Sequence, residues 1–154
     1  MNILAAVDFS GFTDPMLSAV GRIADAVPGA RIWLLHVAEP DPSFVGYEAG
    51  PDAVRDQVAA EYRRERQQLQ ECAERLRAGG REVSTLVVPG AIAETILHEA
   101  ARLQADLVVM GSHGYGTIAE LIVGGVSKVV LRKAACPVLV IPPAMAADDG
   151  TRGT

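Results

Sequence analysis

Glycine, serine and aspartate stand in this chain at spacings suited to holding a phosphate. Gly111-Ser112-His113-Gly114-Tyr115-Gly116 follows a short apolar run, and after nine further residues from Gly114 comes Gly124-Gly125-Val126-Ser127. Two glycines three apart at a strand end let the backbone turn sharply and approach a ligand closely. Gly124-Gly125 is read as opening a helix, whose first N–H groups have no intrahelical partner. Those groups and the helix dipole together make an anion site. Ser127 adds a hydroxyl donor, and Lys128 lies alongside. Gly116 reads as a turn residue, since Thr117 and Glu120 form a capping box that needs no ligand. Other phosphate loops fit worse. Gly-Lys followed by Ser or Thr is absent. The first strand is followed by Asp8-Phe9-Ser10-Gly11, with a single glycine where a dinucleotide fingerprint needs three.

The remaining polar candidates divide between site and scaffold. Asp8 ends the first apolar run, where a carboxylate either caps the following turn or faces a ligand. His36 reads as a structural histidine with its hydrogen bonds met. His113 lies inside the glycine loop, where ligand contact and plain exposure are both open. His98-Glu99 begins like a zinc-binding helix motif, but the fifth residue is Arg102, so no zinc site follows. Trp33 reads as core. No nucleophile–histidine–acid order appears, and Asp8 is the one carboxylate placed to orient a water. The pattern favours a binding protein over an enzyme, with slow hydrolysis of a bound phosphate ligand as the most that could be expected.

These residues need a frame that brings residues 6–8, 37, 110–114 and 124–127 together. Short apolar runs at 2–7, 31–38, 82–88, 106–110 and 137–141 read as strands. Between them lie helical patterns. One starts at Asp14-Pro15, with Asp14 as N-cap. A long one covers 53–78, with Val54, Val58, Tyr62, Leu69, Cys72 and Leu76 on one side. A third covers 91–103, and a fourth runs from 117 to 133 with a break at Gly124-Gly125. Residues 39–52 read as a loop. Strands without polar alternation, separated by helices, predict a parallel sheet covered on both faces. Right-handed crossovers make it a single doubly wound α/β sheet of five strands, ordered 3-2-1-4-5. Ligands of such sheets bind beyond the carboxyl ends of the strands, where the strand order reverses.

Bulk composition narrows the partners. The 154 residues suit one domain, and a net charge of −5 disfavours nucleic acid. The arginines between Arg63 and Arg77 are interleaved with Glu61, Glu65, Glu71 and Glu74, the pattern of a solvated helix face. No run approaches the roughly 20 apolar residues of a membrane span. Cys72 and Cys136 sit in apolar contexts and read as reduced, mostly buried thiols. The expected location is the cytoplasm.

With these residues on the page, the chain resembles the universal stress protein family over residues 1 to about 143, leaving 144–154 as a polar tail. The resemblance rests on Gly111-x-x-Gly114, nine residues, Gly124, together with the AVDFS, LLHVAE, DLVVMGSHG and ACPVLVIP segments. It implies an ATP site. Ala6, Val7 and Asp8 would line the nucleotide, and Val37 would meet the adenine. Met110, Gly111 and Gly114 would cradle ribose and phosphates, with His113 beside them, and Gly124, Gly125, Val126 and Ser127 would hold the outer phosphates. Asp8 could also place a magnesium ion. The family's Ser or Thr after the third motif glycine is Gly125 here, which puts AMP or a cyclic nucleotide in contention. The resemblance further implies a stress-response protein acting through nucleotide-dependent interactions, and a homodimer formed through the strand 137–141. A dimeric interaction module with a degenerate pocket is the alternative.

Overall fold

A computed structural model describes residues 1–38, 52–112 and 125–142. The elements run β1 (Asn2–Ala6), α1 (Thr13–Ala26), β2 (Arg31–Ala38), α2 (Asp52–Arg77), β3 (Glu82–Pro89), α3 (Ile92–Arg102), β4 (Leu107–Gly111), α4 (Gly125–Lys133) and β5 (Val138–Ile141). All strand pairs are parallel, in the order β3-β2-β1-β4-β5. The doubly wound α/β sheet is therefore as expected. The stretches 39–51 and 143–154, read as a loop and a tail, lie outside the described residues, as do His113, Gly114, Gly116, Thr117, Glu120 and Gly124.

The apolar runs form strands because side chains alternate across a sheet that is buried on both sides. In β1, Ile3 and Ala5 pack into a core with α1 and α2, while Leu4 packs into a second core with α3 and α4. In β2, Ile32 and Leu34 belong to the first core, and Leu35 and Val37 to the second. Ile3, Leu4, Leu34 and Leu35 are all fully buried, and each contributes roughly 1.5–3 kcal/mol from removal of its side chain from water. Trp33 packs against the second core, as expected. Along α2, Leu69, Cys72 and Leu76 are buried at helical spacing against the first core.

Two local expectations are corrected. Asp14 does not cap α1. The Thr13 N–H already donates to the Ser10 carbonyl, so the helix begins two residues earlier, after Phe12, with no side-chain cap. Asp14 instead sits in the first turn and pairs with Arg75 of α2 at 2.7 Å. Glu65 is likewise not part of the solvated face of α2. Its side chain is 23% exposed and points at His36, whereas Arg63, Arg64, Glu61 and Glu74 are exposed. Gly29 and Gly80 adopt left-handed φ of 74° and 79° just after α1 and α2.

Candidate functional site

The crevice forms where β1 sends its chain towards β2 on one side and has β4 as its other neighbour. Its floor is made by the carboxyl ends of three adjacent strands: Ala6, Val7 and Asp8 after β1, Leu35 to Val37 of β2, and Met110 and Gly111 of β4. Its walls are Ile92 and Ile96 of α3, with Val126 and Ser127 of α4. About 500 Å³ of space lies within these walls, solvent at the mouth included. Of the residues singled out in the sequence, Ala6, Val7, Asp8, Val37, Met110, Gly111, Val126 and Ser127 are brought together here. Gly125 opens α4 beside them.

The chemistry of this crevice is apolar walls with polar groups at one end. Val37, Met110 and Ile96 are buried, and Ile92 and Val126 half-buried, giving a slot suited to a flat apolar ring. At the other end lies the start of α4. Its first turn carries no acidic residue; Lys128 is its fourth residue, and Arg132 and Lys133 sit in the last turn. The first N–H groups of a helix and its dipole favour an anion at such an end. Gly125 has open space where a Cβ would stand.

Asp8 shapes the turn that follows β1. Its Oδ1 accepts from the Ser10 N–H at 3.0 Å and from the Ser10 hydroxyl at 2.6 Å, an Asx turn that shapes the exit from β1. The same residue lines the crevice. The turn places Phe9 at φ 57°, a left-handed conformation uncommon outside glycine. Phe9 packs there on the His36 ring, with centroids 4.4 Å apart. His36 is 3% exposed and bonds through Nδ1 to the Val7 carbonyl oxygen, so the structural reading of this histidine holds.

Ser127 differs from the expectation of a free hydroxyl donor. It is 1% exposed, and its Oγ donates to the Gly111 carbonyl oxygen at 3.1 Å. Ile92, Ile96 and Leu35 were not singled out in the sequence as site residues. The helical periodicity of α3 marks Ile92 and Ile96 as inward-facing, but their position over the β1–β4 switch needs the strand order as well. Among the described residues no three His, Cys, Asp or Glu side chains come together to hold a metal ion. No helix among them is long and apolar enough to cross a membrane. Both cysteines are free, Cys72 buried and Cys136 half-buried.

A five-stranded parallel sheet in this order, flanked by four helices among the described residues, defines a doubly wound α/β fold. The universal stress protein family model matches residues 1–142, and the chain belongs to that family. A Thermus aquaticus universal stress protein is 32% identical over 130 residues, covering 80% of this chain and 86% of that protein. The solved structure of MJ0577 from Methanocaldococcus jannaschii, itself called a universal stress protein, superposes with a TM-score of 0.78 at 26% identity, over 92% of this chain and 94% of that one. A universal stress protein solved in complex with cAMP shares the fold with a TM-score of 0.64 at 23% identity, over 92% of this chain and 96% of that one.

Proposed function

We propose that this chain is a cytoplasmic stress-response protein that binds ATP in the switch-point crevice and changes its interactions with nucleotide state. The observation that carries the reading is the start of α4, free of acidic residues and beginning with Gly125, set at the end of an apolar slot. The base would lie between Val37, Met110 and Ile96. The phosphates would lie over the first N–H groups of α4 and the glycines Gly111, Gly114 and Gly124, beside His113. The family membership and the neighbour solved with cAMP support an adenine ligand.

Asp8 fits a magnesium ion brought with the nucleotide. Ser10 engages its Oδ1, and among the described residues none hydrogen-bonds to Oδ2; one carboxylate oxygen is enough for an ion held mainly by phosphates and water. Asp8 is the sole carboxylate among the described crevice-lining residues, so binding is favoured over turnover, and incubation with ATP and magnesium should give only slow release of ADP. Titration calorimetry with ATP, AMP and cAMP tests the reading. Gly124→Val should weaken ATP at least tenfold, about 1.4 kcal/mol. Unchanged affinity in a folded variant overturns it, and a parent that binds none of the three favours an interaction module with a degenerate pocket.

A further inference from the structure

We infer that Ser127 is a positioning residue: its buried hydroxyl ties the first turn of α4 to the end of β4 and so sets where the phosphate-facing N–H groups point. This rests on the nucleotide reading of the crevice. Ser127 is the third residue of α4, 1% exposed. Its hydroxyl lies 3.1 Å from the Gly111 carbonyl oxygen and 3.5 Å from that of Ser112. A hydroxyl has one hydrogen, and a carbonyl oxygen only accepts. That hydrogen is therefore committed to β4, and no donor remains on the side chain for a phosphate oxygen.

The peptide unit that joins Gly111 to Ser112 is held from both sides. Ser127 takes its carbonyl, and its N–H donates to the Ile141 carbonyl of β5 at 3.0 Å. This is the unit from which the chain leaves the sheet towards Gly114. One hydroxyl thus joins the two segments that must converge on a phosphate, the exit of β4 and the start of α4. Val130, fully buried one turn further on, anchors the same helix in the second core. Without the hydroxyl α4 keeps that anchor but loses the tie at its N-terminal end.

The test compares the parent with Ser127→Ala and Ser127→Thr, each confirmed to melt cooperatively. Hydrogen exchange of the ligand-free proteins reads the amides of Ser112 and of residues 126–130. Calorimetry reads adenosine, AMP and ATP. In Ser127→Ala, exchange at these amides should quicken, and ATP should weaken about tenfold while adenosine stays within about twofold. Ser127→Thr should restore both. A loss of ATP affinity with unchanged exchange means a direct phosphate contact and overturns the inference, as does equal weakening of adenosine and ATP. A Ser127→Ala protein that behaves as the parent overturns the positioning role alone. A parent that binds no adenine nucleotide overturns the reading of the crevice, and the positioning role falls with it.

Discussion

His36 Nδ1 lies 2.8 Å from the carbonyl oxygen of Val7. The carbonyl can only accept, so the proton of this contact sits on Nδ1. The other ring nitrogen, Nε2, faces Glu65 of α2 at 3.5 Å. A buried ring thereby joins the end of β1, where the crevice begins, to a helix on the opposite face of the sheet. Replacing it with leucine leaves a buried carbonyl without its side-chain donor, at a cost of about 1–3 kcal/mol. Asparagine can offer a donor near the Nδ1 position, so His36→Asn should lose less than His36→Leu. Urea unfolding checks this, and equal losses would show that the Val7 contact contributes nothing.

Gly125→Ser restores the hydroxyl that other members of the family carry after the third motif glycine. A Cβ at Gly125 meets no atom within 4 Å, and the residue is not in a left-handed conformation, so serine fits without strain. One hydrogen bond nets about 1 kcal/mol. The variant should therefore shift preference towards ATP over AMP by roughly fivefold, read by calorimetry on both ligands. An unchanged ratio in the folded variant would mean that selectivity is set elsewhere.

Burial raises the thiol of Cys72 above its ordinary range, with nearby Arg75 opposing; burial, then the charge of Asp106, raises Cys136. The folded protein therefore keeps these protons to higher pH than the unfolded chain does, and stability falls as pH rises above the ordinary thiol value. At pH 8 both thiols should react with an aromatic disulfide reagent more slowly than free cysteine, Cys72 the slower, and promptly on denaturation. Rapid labelling of Cys72 in the native state would contradict the packing around it.

Arg81 holds Asp25 through two hydrogen bonds, Nε to Oδ1 at 2.8 Å and Nη2 to Oδ2 at 2.7 Å. That pairing lowers the carboxyl of Asp25 despite partial desolvation. A depressed carboxylate stabilises the fold above its ordinary value of about 4, and the contribution disappears as pH falls through the lowered native value. Arg81 also covers Gly21 and Gly79, whose added Cβ atoms would stand 3.1 and 2.6 Å from its guanidinium. Arg81→Ala should lower Tm at pH 7, and the gap to Asp25→Asn should close in acid. A gap between parent and Asp25→Asn that persists well below pH 3 would show that the ion pair is not its cause.

The edge strand β5 (Val138–Ile141) has Leu139 packed on one core and Val140 on the other, and both remain half-exposed. An apolar edge of this kind invites pairing with a second copy. The parent should sediment at twice 16.2 kDa, and Val140→Glu should yield a folded monomer. A parent that stays monomeric at about 10⁻⁵ M, a weak association, excludes a dimer through this strand.

What could be read from the chain alone follows from the range of the interactions. The strands were legible because both sheet faces are buried, which makes runs such as Ile3 to Ala5 apolar throughout. The opening of α4 was legible because two glycines mark it. The partners of polar side chains were not. Asp14 beside Pro15 has the local form of a cap, but Arg75 draws it outward across to α2. Glu65 has the spacing of a solvated face, and only the packing of α2 over β2 shows its approach to His36. The place of Ser127 beside the crevice was legible, but the acceptor of its hydrogen lies on another element.

The β1–β4 pairing is a mechanical joint of the sheet. Its register spans three pairs, Ile3 with Leu107, Leu4 with Val108 and Ala5 with Val109. The β2–β3 pairing spans eight, from Arg31 with Glu82 to Ala38 with Pro89. The sheet therefore has a short seam, with β3-β2-β1 on one side and β4-β5 on the other. The crevice straddles that seam, its floor drawn from both sides. A ligand there would act as a rivet across the shortest internal joint, raising the force needed to slide the halves apart. Under pulling along the strands the unliganded protein should yield first between β1 and β4.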